Sequence, residues 1–340
     1  MVIKNRLSSF FATKINASTF AITEDDRFSE HPLLYAKIYP NRPIIVLSDT
    51  GLDSPHDRSK NAKYTRIRSF LEECPVPSND DQPLNPGGSK QYVILITHCH
   101  YDHIYGLPSF YDKGKAVAAP VVISSLQGKN FVQDDIYTHS LAKFRGLPEI
   151  EYKPTLFAKD CERLIIPTPQ SWKYDKHPPD IDLGITVFNT PGHVPDEIAW
   201  YDHAERHIYV GDSIYETGHD QGFPGNYTGP IEFPKEGNWV TYAASMKKLL
   251  FFVEAENLRG EAQGKPRIRL GAAHNTFDAD AEEALEDVLD FLTRVVHGKV
   301  EVTKTEEVRD EEVWTWADKG RFSIRAPLRL FLDYKNFRSA

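Results

Sequence analysis

The chain has 340 residues, of which 26% are charged and 40% hydrophobic, proportions typical of a folded globular protein rather than a disordered one. Its 49 acidic and 40 basic side chains give a net charge of −9, which argues against a protein that binds nucleic acid through the phosphate backbone. No stretch approaches the roughly 18 apolar residues of a membrane helix, and 3 cysteines cannot form a disulfide framework, so we expect a cytoplasmic protein without a membrane segment.

The first predicted elements lead to a histidine-rich segment. Residues 44–47 are a β-branched apolar run that predicts a buried strand followed by a turn. Residues 62–73 have helical spacing, and the polar, Pro- and Gly-rich segment 75–90 predicts a surface loop. Residues 92–96 then predict a second buried strand, which delivers the chain to His98.

Further strands and one well-marked helix are predicted downstream. The strands are expected at 120–124, 163–166, 184–189, 197–201 and 207–210. The helix opens at Asp280, which resembles a capping box with Glu283, and it closes at Gly298. Two groups of strands, each followed by helix, predict an α/β protein whose sheets are sandwiched between helical layers.

The last 40 residues differ in character from the rest. A charged stretch after residue 300 is followed by an aromatic-rich tail that includes Trp314 and Trp316. We predict that residues 1–300 form the main domain and that 301–340 are a C-terminal extension packed on it. A homodimer contact or a lid is the alternative role for this extension.

Four side chains of the types that bind metals follow the strand at 92–96 within six residues: His98, His100, Asp102 and His103. Imidazole and carboxylate are zinc ligands, and the loop past a strand end is a common position for reactive groups. A solvated histidine-rich loop without metal is the plainer interpretation. The rest of the chain argues against it, because more ligand types follow other apolar runs.

Those later candidates are His193, Asp212 and His274, each of which comes at the end of a predicted strand. Taken alone, His193 or His274 would more often be an ordinary hydrogen-bonded histidine. Together with the first cluster, they are better explained as ligands of one metal centre.

The pattern HxHxDH at 98–103, TPGH at 190–193, GD at 211–212 and a late strand-end histidine resembles the metallo-β-lactamase fold superfamily over roughly residues 15–298. The resemblance implies an αββα sandwich with two zinc ions at the edges of the sheets. It assigns the first zinc to His98, His100 and His193, the second to Asp102, His103 and His274, and a bridging role to Asp212.

Two cations about 3.5–4 Å apart would lower the pKa of a shared water and polarise the carbonyl that it attacks. Asp102 is the predicted proton shuttle, and Asp49 is a candidate hydrogen-bond partner for a ligand histidine. Cys99 and Tyr101 are predicted to be structural and to point away from the site. The remaining histidines are predicted to lie at the surface, at positions 31, 56, 139, 177, 203, 207, 219 and 297.

The substrate is predicted from finer features. The commonest zinc β-lactamases have the motif HxHxDR, and in this chain His103 stands at the position of the arginine. Antibiotic hydrolysis is therefore not favoured. The ligand set resembles hydroxyacylglutathione hydrolases, acyl-thioester hydrolases, acyl-homoserine lactonases and fungal lactamases. Tyr215, three residues after Asp212, resembles a lactonase tyrosine that contacts the substrate carbonyl and could stabilise an oxyanion. Simple packing beside the site is the alternative role for Tyr215.

The segment 196–238 resembles fungal members of the superfamily, and its aromatic residues predict an apolar pocket for a small, ring-bearing substrate. Because this segment is poor in arginine, glutathione thioesters are less favoured. We therefore predict a dizinc hydrolase of a small lactam, lactone or cyclic carbamate of the benzoxazolinone type, in detoxification or secondary metabolism. An acyl-thioester hydrolase and an iron-dependent oxidoreductase are the alternatives. The aromatic residues of this prediction are Tyr201, Tyr215, Phe223, Tyr227, Phe233 and Trp239.

Overall fold

The computed structural model describes residues 7–111, 118–168, 180–217 and 229–339. A first sheet has seven strands that neighbour one another in chain order. Pairing is antiparallel among the first four strands and parallel from the fourth to the seventh. The strands are β1 (Phe10–Lys14), β2 (Thr19–Glu24), β3 (Leu33–Ile38), β4 (Ile44–Ser48), β5 (Gln91–Leu95), β6 (Val121–Ser125) and β7 (Leu156–Ala158).

A second sheet of six strands lies against the first. Its strands, introduced in chain order, are β8 (Glu162–Ile166), β9 (Ile181–Asn189), β10 (Ile198–Asp202), β11 (His207–Tyr209), β13 (Arg269–Gly271) and β14 (Ala279–Asp280), and their order across the sheet is β14-β13-β11-β10-β9-β8. β11 and β13 are parallel, whereas the other neighbours are antiparallel.

Apolar side chains from both sheets meet in one buried cluster, in which Val46 and Val93 of the first sheet join Ile185 and Trp200 of the second. The outer face of each sheet carries a separate cluster with helices. The arrangement confirms the predicted αββα sandwich. The helices are α1 (Ile67–Glu73), α2 (Tyr101–Ile104), α3 (Lys129–Asp134), α4 (Ile136–His139), α5 (Trp239–Glu261), α6 (Ala281–Val296) and α7 (Leu328–Ser339).

The predicted helix near residue 280 has the expected start and end. The Asp280 side chain accepts hydrogen bonds from the backbone N–H groups of Glu282 and Glu283, which is how an N-cap satisfies the first turn. Leu285, Val288 and other apolar residues spaced three and four apart are buried against the second sheet. Gly298, just past the helix, has a φ of +68°, the conformation that favours glycine there.

A third, smaller sheet is built mainly from the C-terminal region. Its order is β12-β17-β16-β15, with β12 at Ile231–Glu232, β15 at Val302–Val308, β16 at Glu311–Ala317 and β17 at Ser323–Pro327. β12 pairs in parallel with β17, with Ile231 opposite Ile324. Trp316 packs edge-on against Trp239 of α5, so the tail shares an apolar cluster with the helices of the second sheet. The domain boundary at residue 300 stays a prediction.

Several sequence expectations need correction. His31 and His207, predicted at the surface, are buried, and the ring of His207 stacks on Tyr209 with centroids 4.5 Å apart. Burial and the charge of Arg269 lower the pKa of His207 to about 3, so this histidine is a neutral core residue. His177 and His219 lie outside the described residues. Among the helices that the structure describes, none combines the length and apolar character needed to cross a membrane.

Candidate metal centre

The segment from His98 to His103 leaves the first sheet just after β5 and enters α2. All four candidate ligands of this segment are buried. His193 follows β9 on the second sheet, Asp212 follows β11 and His274 follows β13. The ends of these strands face one another across the sandwich. As a result, the seven predicted residues come together in two groups, one of His98, His100, His193 and Asp212 and the other of Asp102, His103 and His274.

The first group is a compact set of three imidazoles and a carboxylate. His100 Nδ1 is 3.0 Å from His98 Nε2 and 3.1 Å from His193 Nε2. Asp212 Oδ2 lies 3.8 Å from both of those Nε2 atoms. The candidate ligand atoms of each group are all within 4.8 Å of one another, as the ligand atoms of a single ion must be.

Asp212 also faces the second group with its other oxygen. Asp212 Oδ1 is 3.5 Å from His103 Nε2 and 3.4 Å from His274 Nε2. Asp102 Oδ2 completes this side, 3.4 Å from His103 Nε2 and 3.8 Å from His274 Nε2. One carboxylate thus presents one oxygen to each group, which is the geometry that a bridging ligand needs.

Backbone carbonyls orient two of the imidazoles. His193 Nδ1 is 2.7 Å from the Glu232 carbonyl oxygen, and His274 Nδ1 is 2.9 Å from that of Glu30. A ring whose Nδ1–H donates to a carbonyl directs the lone pair of its Nε2 to the centre, as in ligand histidines generally. His103 Nε2 and Asp212 Oδ1 are buried and have no hydrogen-bond partner among the residues that the structure describes, and a bound metal would supply one. The residues therefore fit a metal pair.

Carboxylates behind the ligands hold them in place. Asp49 Oδ2 is 3.0 Å from His103 Nδ1, and the same carboxylate accepts hydrogen bonds from the Thr97 backbone N–H (2.7 Å) and hydroxyl (2.8 Å). Asp49 is thus a hydrogen-bond partner of a candidate ligand histidine, as predicted. Glu197 accepts from the Asp212 backbone N–H at 3.0 Å and thereby orients the loop that carries Asp212. Sequence reasoning missed Thr97 and Glu197, because neither belongs to a recognisable motif.

Burial and charge set the protonation of the imidazoles. Burial lowers the pKa of His98. Burial and the neighbouring imidazole of His193 lower the pKa of His100 to about 3. Both rings are therefore neutral and keep a lone pair for a metal. At His274, burial lowers the pKa, but the carboxylates of Asp212 and Asp102 outweigh it and raise the value to about 9. Metal binding to the second group therefore competes with a proton.

Both groups open into a cavity of about 480 Å³, to which His100, Asp102, His193, Asp212 and His274 all contribute. Its other walls are aromatic and charged, and their residues come from widely separated parts of the chain. The aromatic lining consists of Phe28, Tyr101, Phe144, Tyr215 and Phe233, and the basic lining of Arg145, Lys235, Arg309 and Arg325.

Tyr215 lies in this cavity, as the prediction of substrate contact requires. Its ring packs edge-on against His274 with centroids 5.0 Å apart. Its hydroxyl oxygen accepts a hydrogen bond of 2.8 Å from the Glu232 backbone N–H. The phenol is thereby fixed beside the second group of ligands.

Two predictions about the motif's other residues have different outcomes. Cys99 is fully buried, and burial together with the nearby Asp196 carboxylate raises the pKa of its thiol, in agreement with a structural role. The prediction that Tyr101 points away from the site is wrong. Tyr101 lines the cavity and its hydroxyl donates to Glu30, because the chain turns into α2 at this residue and no longer alternates like a strand.

The predicted apolar pocket is wrong in one respect. Phe233 lines the cavity, but Tyr201 and Trp239 belong to the apolar core, while Phe223 and Tyr227 lie outside the described residues. Segment 196–238 is poor in arginine, but the cavity is not, because its arginines come from other parts of the chain. No local pattern could reveal this, since Arg145 and Arg309 are far apart in the sequence.

Comparison with known proteins agrees with this geometry. The family model described as the metallo-beta-lactamase superfamily matches residues 84–293, more than half of the chain, including all seven candidate ligands. An Aspergillus versicolor protein with the name "Putative transcription factor avaE" is 29% identical over 301 residues, covering 88% of this chain and 80% of that protein.

Solved structures with a similar fold include TTHA1429 from Thermus thermophilus, a metallo-beta-lactamase family protein (17% identity, 85% of this chain and 81% of that chain, TM-score 0.47). FIM-1 from Pseudomonas aeruginosa, a metallo-beta-lactamase in its mono-zinc form, is another (12% identity, 85% and 99%, TM-score 0.46). The chain belongs to the metallo-beta-lactamase superfamily, and this membership together with its two His/Asp groups indicates a metal-dependent hydrolase.

Proposed function

We propose that the chain is a dizinc hydrolase that opens a small cyclic amide or ester, such as a lactam, a lactone or a cyclic carbamate. The observation that carries the proposal is the position of Asp212, whose two oxygens face two separate ligand groups at the wall of one cavity. The residues that would hold the ions are His98, His100, His193, Asp102, His103 and His274, with Asp212 between them.

The cavity sets the size of the substrate. A volume of about 480 Å³ lies in the range of sites for small molecules and leaves no room for a folded partner. The lining includes the aromatic rings of Phe28, Tyr101, Phe233 and Tyr215, which can pack against a flat ring of a substrate. This lining supports a ring-bearing substrate.

The chain's own residues then have distinct tasks. Two bound zinc ions would supply a Lewis acid and lower the pKa of water, which is the chemistry that hydrolysis at neutral pH needs. Tyr215 donates a hydrogen bond to the carbonyl oxygen of the scissile bond, because its ring is fixed in the cavity beside His274. Asp102, buried at the cavity wall, carries the proton to the leaving nitrogen or oxygen.

Metal analysis and a substrate panel test this proposal. Purified protein is expected to hold close to two zinc ions per chain and to lose its activity in chelator. Tyr215→Phe should lower kcat for lactam or lactone opening on the order of 10²-fold, the typical effect of one oxyanion donor, while zinc content stays unchanged. Tyr39→Phe is the matched control, because it removes a partly buried hydrogen bond from the Tyr39 hydroxyl to the Leu183 carbonyl oxygen, away from the cavity. Fully loaded protein that opens no lactone, lactam or carbamate would refute the proposal.

Hydrolysis of acyl thioesters is the second candidate, and the basic side chains of the cavity favour it. Among these side chains, Arg309 could hold a carboxylate of a glutathione thioester or a phosphate of an acyl-CoA. A thiol-release assay distinguishes the two functions, because only thioester hydrolysis frees a thiol. If iron rather than zinc is found and oxygen is consumed, the oxidoreductase alternative replaces both.

The transcription-factor name of the Aspergillus versicolor protein belongs to that protein. For this chain, the net charge of −9 and the enclosed ligand groups support catalysis on a small molecule. A gel-shift experiment with genomic DNA fragments at moderate salt is expected to show no binding.

A further inference from the structure

We propose that Arg309, on the C-terminal hairpin, binds an anionic group of the substrate, so that the enzyme acts on acyl compounds that carry a carboxylate or phosphate besides the bond to be cleaved. This inference rests on the proposed function, because it concerns the same cavity. It names a class of substrate and a specificity-determining residue that lies outside the metal centre.

The hairpin brings Arg309 to the cavity. β15 and β16 pair so that Val308 lies opposite Glu311, which leaves Arg309 and Asp310 as a two-residue turn. Both turn residues have positive φ, 51° and 62°, as the tight turns that match the twist of a hairpin require. Val308, Arg309 and Glu311 all line the cavity, so the tip of the hairpin forms part of its wall.

The other basic residues of the wall are already paired. Arg145 binds Glu30 at 2.7 Å, and Lys235 lies 3.8 Å from Glu236. Arg325 contacts Glu232 at 2.7 Å and a second glutamate, Glu306, at 2.8 Å. These cations are neutralised within the protein and need no anion from outside.

Arg309 has a different environment. Within residues 7–111, 118–168, 180–217 and 229–339, its guanidinium makes no hydrogen bond or ion pair, and Glu236 is the acid that acts on it at longer range. Partial burial lowers the pKa of Arg309, and the positive charges of Arg145 and Arg325 lower it further, against the opposing effect of Glu236.

The guanidinium is also held in position. It lies over the ring of Phe144, 3.8 Å from the centroid, and Phe144, in the short 3₁₀ helix Ala142–Arg145, also lines the cavity. A guanidinium that lies over a ring keeps its N–H groups, which point outward in the guanidinium plane, available for a bidentate contact with a carboxylate or phosphate. Because the contact is prepared before the ligand binds, little side-chain entropy is lost on binding.

The test uses substrates with the same scissile bond and a carboxylate, a phosphate or a neutral amide at the far end. The zinc-loaded wild type should prefer one anionic substrate to the amide. Arg309→Gln should lower kcat/KM for that substrate about tenfold or more, the effect of one lost charge-assisted contact, and leave the amide unchanged. The kcat/KM of Arg309→Lys for that substrate should lie between those of wild type and Arg309→Gln, because lysine keeps the charge but cannot make the two-pronged contact of a guanidinium. The carboxylate and phosphate arms identify the anion.

Lys304→Gln is the matched control, because Lys304 is an exposed cation of the same hairpin that does not line the cavity. Equal kcat/KM values of wild type and Arg309→Gln for every substrate would overturn the inference, and so would an equal loss for the amide.

A binding measurement separates this inference from the proposed function. The probes are benzene-1,3-dicarboxylate and benzoate, titrated calorimetrically into zinc-loaded protein. Arg309→Gln should weaken the dicarboxylate about tenfold and leave benzoate unchanged, whether or not any substrate turns over. If the panel is hydrolysed but both probes bind the variant like the wild type, the function stands and the role of Arg309 is refuted.

Discussion

Asp49→Asn should weaken zinc binding at the second ligand group while the first group binds zinc as before. In the native site one carboxylate accepts from His103 Nδ1 at 3.0 Å and from two groups of Thr97. An asparagine offers one oxygen and an NH₂ group, so either His103 or the Thr97 amide must face a donor. Asp49 has a φ of +62°, which asparagine also tolerates, so the backbone does not need to move.

The magnitude follows from the partner that is lost. Mutation of such a supporting partner typically costs about 10- to 100-fold in metal affinity, or roughly 1.4–2.7 kcal/mol. Leaving one buried donor unpaired costs about 1–3 kcal/mol, which agrees with that range. We expect a stepwise zinc titration against a competing chelator to show one unchanged and one weakened step.

Asp202→Asn is the matched control for this titration. Asp202 is another buried carboxylate, paired with Lys37 at 2.5 Å, and it lies outside both ligand groups. Its loss should lower the stability of the fold and leave both zinc affinities unchanged. Wild-type affinities in Asp49→Asn, or equal weakening of both steps, would show that Asp49 does not act through His103.

The remaining predictions concern the fold. Asp280→Ala should lower the free energy of unfolding in urea by about 1 kcal/mol through loss of the α6 cap, whereas Asp290→Ala on the exposed face of α6 should cost no more than about 0.5 kcal/mol. Burial raises the pKa of Asp280, but the hydrogen bonds from Arg267 and the Glu283 backbone N–H, with the positive charges of Arg267 and Arg269, together outweigh it and lower the pKa below 3.8. The stability difference between wild type and Asp280→Ala should therefore be full above about pH 4 and vanish as the pH falls through the native pKa. A constant difference at about pH 2.5 would contradict this. Gly128→Ala should give insoluble or strongly destabilised protein in a solubility and thermal-melt assay, because the new Cβ would lie 2.2 Å from the Asp196 Cα.

Elements with a strong local signal could be predicted from the sequence. β4 and β5 are buried on both faces, so their apolar runs are continuous and easy to recognise. α6 has a clear cap and an apolar stripe. By contrast, α5 has buried Ser245 and Asn257 but exposes Phe251 and Leu258, so its residues do not separate into an apolar and a polar face. The helix therefore has no periodic signal.

The candidate ligands were predictable because each of them comes soon after the end of an apolar strand. The supporting contacts of Glu30 and Glu232 could not be predicted, because these residues accept through their backbone carbonyl oxygens. Every residue type has such a carbonyl, so the sequence does not mark these positions. The wall formed by the hairpin depends on the parallel pairing of Ile231 with Ile324. A pairing over such a distance in the chain has no signature within either segment.

The candidate metal ligands and the hairpin that forms part of the cavity wall lie in separate parts of the chain. Every candidate ligand precedes residue 275, whereas the hairpin that carries Arg309 follows residue 300. During synthesis the ligand groups emerge first, and the wall of the cavity can close over them only when β17 reaches β12. For the same reason, we expect exchange of the hairpin tip to alter substrate choice while every candidate ligand of the metal centre is retained.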